Sequence, residues 1–240
     1  MWEKFFLDND QWVNYTTQHY ASFLVWASLG VAFIWYAKKK LSTEQQHKAL
    51  LYLCIFLWIV QYAKIFIRLY LGTFNYAVDL PLELCNMIPI FMTFAVWKRS
   101  RKWWGILFLW VISGTFQANI TPTLNDAFPH YEYWRYWIVH MGLTIAVFYG
   151  IVVFGYRANL KDAWRAFIGL NVVAWSMFLF NKVIGANYMY MQAKPDGATL
   201  YSILGDWPYY LIQLQVIMWI FFFVILMPFW IVARFMKTKV

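Results

Sequence analysis

Apolar runs of about 20 residues recur along this chain, each long enough to cross a bilayer as a helix, with short polar breaks between them. Their positions predict seven spans, at roughly 20–37, 49–71, 79–97, 103–121, 133–154, 166–185 and 209–233. No internal repeat and no low-complexity linker interrupts the series. Residues 1–240 are therefore expected to form a single polytopic membrane domain, an all-α bundle of seven transmembrane helices. The first eighteen residues, with Glu3, Asp8 and Asp10, read as a short segment at the membrane interface.

Composition supports the pattern. The chain is 62% hydrophobic and only 13% charged, outside the range of a soluble globule. Its 16 Trp, 17 Tyr and 22 Phe match the aromatic enrichment of membrane interfaces and must also fill helix–helix contacts. The net charge of +9 does not point to nucleic acid, because the basic residues cluster in the short loops. Loops 38–48, 98–102 and 156–165 and the tail from Arg234 hold fourteen of the 20 Lys and Arg, and the opposite side holds three. The positive-inside rule then sets the N-terminus outside and the C-terminus inside. Met1-Trp-Glu-Lys-Phe-Phe has no basic region leading into a cleavable apolar stretch, so no signal peptide is expected. With compact loops as well, the chain reads as a multi-pass protein of a bacterial plasma membrane. Cys54 and Cys85 fall in opposite halves of the bilayer and are not expected to form a disulfide. No cofactor or metal, and no protein partner, is indicated.

Polar residues inside the spans are distributed unevenly. The segment Asp79-Leu-Pro-Leu-Glu-Leu-Cys-Asn-Met-Ile-Pro89 opens the third span with two carboxylates, an amide, a thiol and two prolines. A bilayer offers no water to such groups, so one side of the segment must face protein or a wet cavity. Gln61, Lys64 and Arg68, spaced three and four apart, share one face of the second span. With Asp79, Glu83, Gln117, Asn119, His140, Asn181, Lys182, Gln213 and Gln215 they place polar groups from six helices in the outer half. At ~1.5 Å per residue, Cys85 and His140 both fall roughly 10 Å below the outer boundary. This predicts a polar cavity open toward the outer leaflet. Taken singly, each Asn or Gln serves as well as a helix–helix hydrogen-bond partner, and Lys64 or Arg68 could simply pair with Asp79 or Glu83. A layer confined to one half of the bilayer favours a site over glue.

Around Cys85, ideal helix geometry is ambiguous. Pro89 lacks an N–H, which leaves the Cys85 carbonyl unpaired and predicts a kink. Asp79, Glu83 and Asn86 would share a face, with the thiol ~100° away from Asn86. A lone Cys in a membrane helix is commonly a small packing residue, and a lone His a hydrogen-bond partner.

Three blocks of sequence resemble the YwaF family of integral membrane proteins: Leu80-Pro-Leu-Glu-Leu-Cys-Asn86, His140 in the fifth span, and Asn187-Tyr-Met-Tyr with Lys194-Pro and Ser202-Ile-Leu-Gly-Asp-Trp-Pro208. The resemblance runs from the first span to the last. That family includes an animal acyltransferase that makes ether phospholipids and is more distantly similar to androgen-induced hydrolases of fatty esters, which use Thr with His. The resemblance implies a Cys–His pair at Cys85 and His140. Glu83 departs from the pattern, since many members carry another polar residue two places before the Cys. The implied chemistry is acyl transfer from a membrane lipid, with Cys85 as nucleophile and His140 as general base. Lys64, Arg68 and Lys182 would hold a lipid phosphate, and Glu83, Asn86 and Asn187 would line the same site. The thiolate is the reactive form, so the scheme requires contact between the thiol and His140 or a cation. The competing readings are a carrier or binding protein for a small anionic solute or lipid, and a non-catalytic membrane scaffold. The absence of paired half-helices or an inverted repeat counts against an ordinary secondary transporter.

Overall fold

The computed structural model describes residues 2–7, 10–195 and 200–237; Asp8, Lys239 and the side chain of Glu3 lie outside what is described. The elements in order are α1 (Trp2–Phe6), α2 (Thr17–Lys40), α3 (Thr43–Tyr70), α4 (Leu84–Trp97), α5 (Arg101–Trp110), α6 (Phe116–Ile120), α7 (Tyr131–Val152), α8 (Leu160–Ile184) and α9 (Tyr209–Lys237). Among the described residues there is no strand, only an isolated bridge between Gln11 and Asp126.

Five helices, α2, α3, α7, α8 and α9, are long and apolar enough to cross a membrane. The other two expected spans differ from the prediction in instructive ways. Residues 103–121 lie on one helical rod, but Val111–Thr115 form a π turn between α5 and α6. The third span begins at Leu84 rather than 79 and holds only 14 residues. Pro81 supplies no N–H, the Leu80 N–H donates to the Tyr188 hydroxyl (3.0 Å), and the Asp79 carboxylate accepts from the Asn75 N–H (2.9 Å). The N–H groups of Asp79, Leu80 and Leu82 thus find the Asn75 carbonyl, the Tyr188 hydroxyl and the Leu80 carbonyl without a helix. The helix continues through Pro89 without interruption.

Local signals fix the remaining ends. Ser42 with Gln45 and Asn159 with Asp162 form reciprocal capping boxes at the starts of α3 and α8. The second box starts α8 six residues before the predicted 166, because its charged first turn escapes a hydropathy window. Gly185, at φ 69°, takes the left-handed conformation that ends α8.

Helices α5 and α7 form the centre. Every residue from Trp104 to Trp110 is buried, whereas α2, α8 and α9 keep most of their surface outward. The basic turns meet at one end of the bundle. There Arg99 pairs with Glu44, Arg101 donates to Asp162 (2.9 and 2.5 Å), and Lys38 donates to the Val153 carbonyl (3.1 Å).

Close approach of α5 and α7 depends on Gly150. A Cβ there would lie 2.1 Å from Trp104 Nε1, and Trp104 is a rigid, buried ring. Gly150→Ala is therefore expected to cost about 1–3 kcal/mol by overpacking. Gly114→Ala, with nothing within 4 Å of its Cβ, should be neutral or mildly stabilising in the same thermal-unfolding assay.

Candidate functional site

At the end of the bundle opposite the basic turns, polar side chains of α3 and α7 and of the segment before α4 form a buried ion-pair network. Gln61, Lys64 and Arg68 do line one face of α3, and that face turns inward. Lys64 Nζ lies 2.9 Å from Asp79 Oδ1, and Arg68 Nη2 donates to Glu132 Oε1 at 3.3 Å. Arg135 completes the network, donating through Nε to Glu132 Oε2 (2.6 Å) and through Nη1 to Gln61 Oε1 (2.8 Å). Three cations thus face two carboxylates, Asp79 and Glu132, which are themselves only 6% and 5% exposed at their side chains. Arg68 is the most open member and lies over the Tyr131 ring.

Glu132 and Arg135 are the residues that sequence reasoning missed. Arg135 counts in the sequence only as one of the three basic residues of the outer side, and Glu132 falls just before a span starting at 133, but α7 begins at Tyr131, capped by the His130 ring, which accepts from the Glu132 N–H (3.3 Å). Their separation of three residues, acid before base, was the available signal.

Glu83 does not join the cations. As the cap of α4 it leaves its own helix uncapped, and its carboxylate accepts from the Met189 N–H at 3.0 Å. This fastens the 186–195 segment over the start of α4, together with Tyr188, whose hydroxyl donates to the Tyr76 carbonyl (2.7 Å). Asn181 clamps Tyr188 from both backbone sides, at 2.9 and 3.0 Å. Met189 and Tyr190 take φ of 57° and 52°, a left-handed geometry rare for such side chains, held by these bonds. Asn187 spends its side chain inside the same loop, accepting from the Gln192 and Ala193 N–H groups. Lys182 points outward on α8, over the Phe178 ring, and does not join the network.

The late start of α4 changes the setting of Cys85. The thiol sits in the first turn of a helix, not beside a carboxylate stripe, and the Asn86 N–H beside it donates to the Glu83 carbonyl (2.9 Å). Its position is one turn above the buried residues Ile88, Pro89 and Met92, so it faces the bundle interior. The S–H donates to Asn86 Oδ1 at 3.6 Å. His140, buried on α7, shares Nδ1 with the Tyr136 carbonyl (2.9 Å) and stacks on the Tyr136 ring (4.1 Å between centroids). No hydrogen bond joins Cys85 to His140. Tyr136 stacks its ring on the imidazole, and its hydroxyl, which donates to the Ala118 carbonyl (2.7 Å), lies within electrostatic range of the thiol. Cys54 is apart from all of this, in the apolar core. Both cysteines are free.

The expected open polar cavity does not take that form. Among the described residues many of the polar groups bond one another, and an apolar groove lies between α3 and α4 nearer the basic end. Several members of the predicted layer act as local ties: Asn119 with Thr144 (3.2 Å), Asn171 with Gln215 (3.0 Å), and Gln117 with its own helix (2.7 Å).

The sequence profile of the TMEM164 family matches residues 14–226, nearly the whole chain. The protein belongs to the TMEM164 family. No curated protein and no solved structure matches it. The matched region of this TMEM164 protein includes Cys85, His140 and every member of the ion-pair network. A membrane-protein family and five long apolar helices together make the chain a multi-pass membrane protein.

Proposed function

We propose that this TMEM164 protein is a membrane-embedded lipid acyltransferase or ester hydrolase in which Cys85 is the nucleophile and His140 the general base. It is one polytopic domain of seven spans, N-terminus outside, in a bacterial plasma membrane. The observation that carries the reading is the setting of Tyr136: its ring stacks on the buried His140 imidazole of α7, and its hydroxyl lies within electrostatic range of the first-turn thiol of α4. The resemblance of Leu80–Asn86 and His140 to the YwaF pattern supports it. The contact between Cys85 and His140 belongs to the substrate complex; catalytic hydrogen bonds commonly tighten only there.

Chemically, His140 takes the thiol proton as sulfur attacks the ester carbonyl of a lipid. The ester C–O bond breaks, the proton passes from His140 to the departing lysolipid oxygen, and a thioester remains on Cys85. An acceptor hydroxyl, from a lysolipid or water, gives its proton to His140 and attacks the thioester; the C–S bond breaks, and the departing sulfur takes that proton back from His140. The positive end of the α4 dipole is suited to the developing negative charge. Three cations against two carboxylates leave one positive charge, with Arg68 at the open edge, to hold a lipid phosphate. Asn86 orients the thiol between turnovers, and Glu83 with Asn187 holds the loop that covers α4. Lys182 meets headgroups on the outward face of α8.

The test is transfer of a labelled acyl chain from a phospholipid to a lysophospholipid or water by the purified protein in nanodiscs. The proposal expects labelled product from the wild type. A protein that binds lipid but yields no product across chain lengths, and whose Cys85→Ala variant binds equally, is a carrier or binding protein.

A further inference from the structure

Between α3 and α4, on their membrane-facing side, runs a groove of about 280 Å³ lined by Leu51, Ile55, Trp58, Ile90, Phe94 and Trp97, with Thr93 among them. Its chemistry is uniformly apolar, because the Thr93 hydroxyl is turned onto its own helix and donates to the Pro89 carbonyl at 2.8 Å. Along α4 the lining residues recur at three- and four-residue steps, so the groove follows the helix for about 10 Å. Such a furrow suits one straight acyl chain.

Charge at one end makes the groove more than a seam between helices. The stripe Leu51–Ile55–Trp58 on α3 continues backward to Lys48, one turn beyond the groove and at the same rotation about the helix. On α4 the last lining residue is Trp97, and the ammonium of the next residue, Lys98, lies 4.1 Å from the centre of its ring. Because α3 and α4 run antiparallel, both lysines stand at the same mouth, the end where the basic turns gather. The acid at that mouth, Glu44, is held by Arg99. Lys48 and Lys98 are exposed, and among the described residues neither is in an ion pair. An apolar furrow with two uncommitted ammonium groups at its mouth has the chemistry of an anionic phospholipid.

We propose that this groove seats one anionic phospholipid from the leaflet at the basic end, its acyl chain along Ile90–Trp97 and its phosphate between Lys48 and Lys98. The site is separate from Cys85, which faces the bundle interior near the opposite end of α4, and it holds whether or not acyl transfer occurs.

The experiment is native mass spectrometry of the detergent-solubilised full chain, titrated with phosphatidylglycerol or with phosphatidylcholine of identical acyl chains. The wild type should bind the anionic lipid preferentially, by about fivefold for each lysine near the phosphate. The exposed pair Lys48→Gln with Lys98→Gln should abolish the preference while leaving thermal unfolding unchanged. Thr93→Trp, which fills the furrow, should remove the bound lipid. Lys39→Gln with Lys161→Gln, basic residues elsewhere at the same end, should retain the preference. Equal binding of the two lipids by the wild type overturns the proposal. So does a preference that survives in the Lys48/Lys98 pair, or one lost equally in the Lys39/Lys161 pair.

Discussion

Glu132→Ala is expected to lower stability by about 3–5 kcal/mol, the usual result of removing one partner from a buried charge network. Glu132 is 5% exposed and its carboxylate faces Arg135, Arg68 and, at 3.9 Å, Lys64. Without it three cations share Asp79 alone, in a region where water is scarce. The cost comes from charges left without a partner, so a milder change should cost less: Glu132→Gln can still accept from Arg135 while losing the charge. The contrast lies at the other end of the molecule. Glu44 and Arg99 also pair, but both are half exposed, and Glu44→Ala should leave thermal unfolding unaltered. Melting curves of the three variants in one detergent decide the matter. Equal melting temperatures for Glu132→Ala and wild type would remove the network from any structural account.

Cys85→Ala is expected to lower acyl transfer by about 10³-fold or more, because the covalent route closes altogether. His140→Gln should cost a comparable factor. The informative variant is the double one. Residues that act as a unit are not additive, so Cys85→Ala with His140→Gln should be no slower than the worse single change. Multiplying losses would mean that the two act independently, as a packing residue and a remote hydrogen-bond partner do. Cys54→Ala, in the apolar core, should keep its activity. Binding of the lipid should persist in Cys85→Ala, because the cations near Asp79 and Glu132 are untouched.

How much was legible beforehand depends on the kind of force involved. The long helices follow from apolar length alone, and the inward face of α3 from the spacing of Gln61, Lys64 and Arg68. The salt link from that face to Asp79 was among the pairings considered. What escaped is whatever rests on hydrogen bonds between distant segments. A hydropathy pattern sees 79–83 as the start of a span. It does not see that Tyr188, more than 100 residues later, satisfies the Leu80 N–H. For the same reason the Asp79–Glu83–Asn86 stripe dissolves: the segment before Leu84 is not helical, and Glu83 turns to Met189. The inferred open cavity fails on a related point. Polar residues at equal depth need not line a common space, and here many of them close on their own helix or on one neighbour. A boundary misplaced by two residues left Glu132 outside the span, and Arg135 counted only as an outer-side charge, so their pairing was hidden.

Cys85 gained most from the structure. Its place in the first turn of α4 replaces a mid-helix thiol with one at the start of a helix, where the Asn86 N–H beside it is held by the Glu83 carbonyl (2.9 Å). The most direct measurement is therefore labelling of the protein in native membranes by a thiol-reactive lipid-ester probe, with the modified residue located by peptide mass spectrometry. Acyl transfer through a Cys85 thioester predicts modification of Cys85 and not Cys54, suppressed by His140→Gln. A Cys85 that stays unlabelled while the protein turns over lipid esters would contradict it.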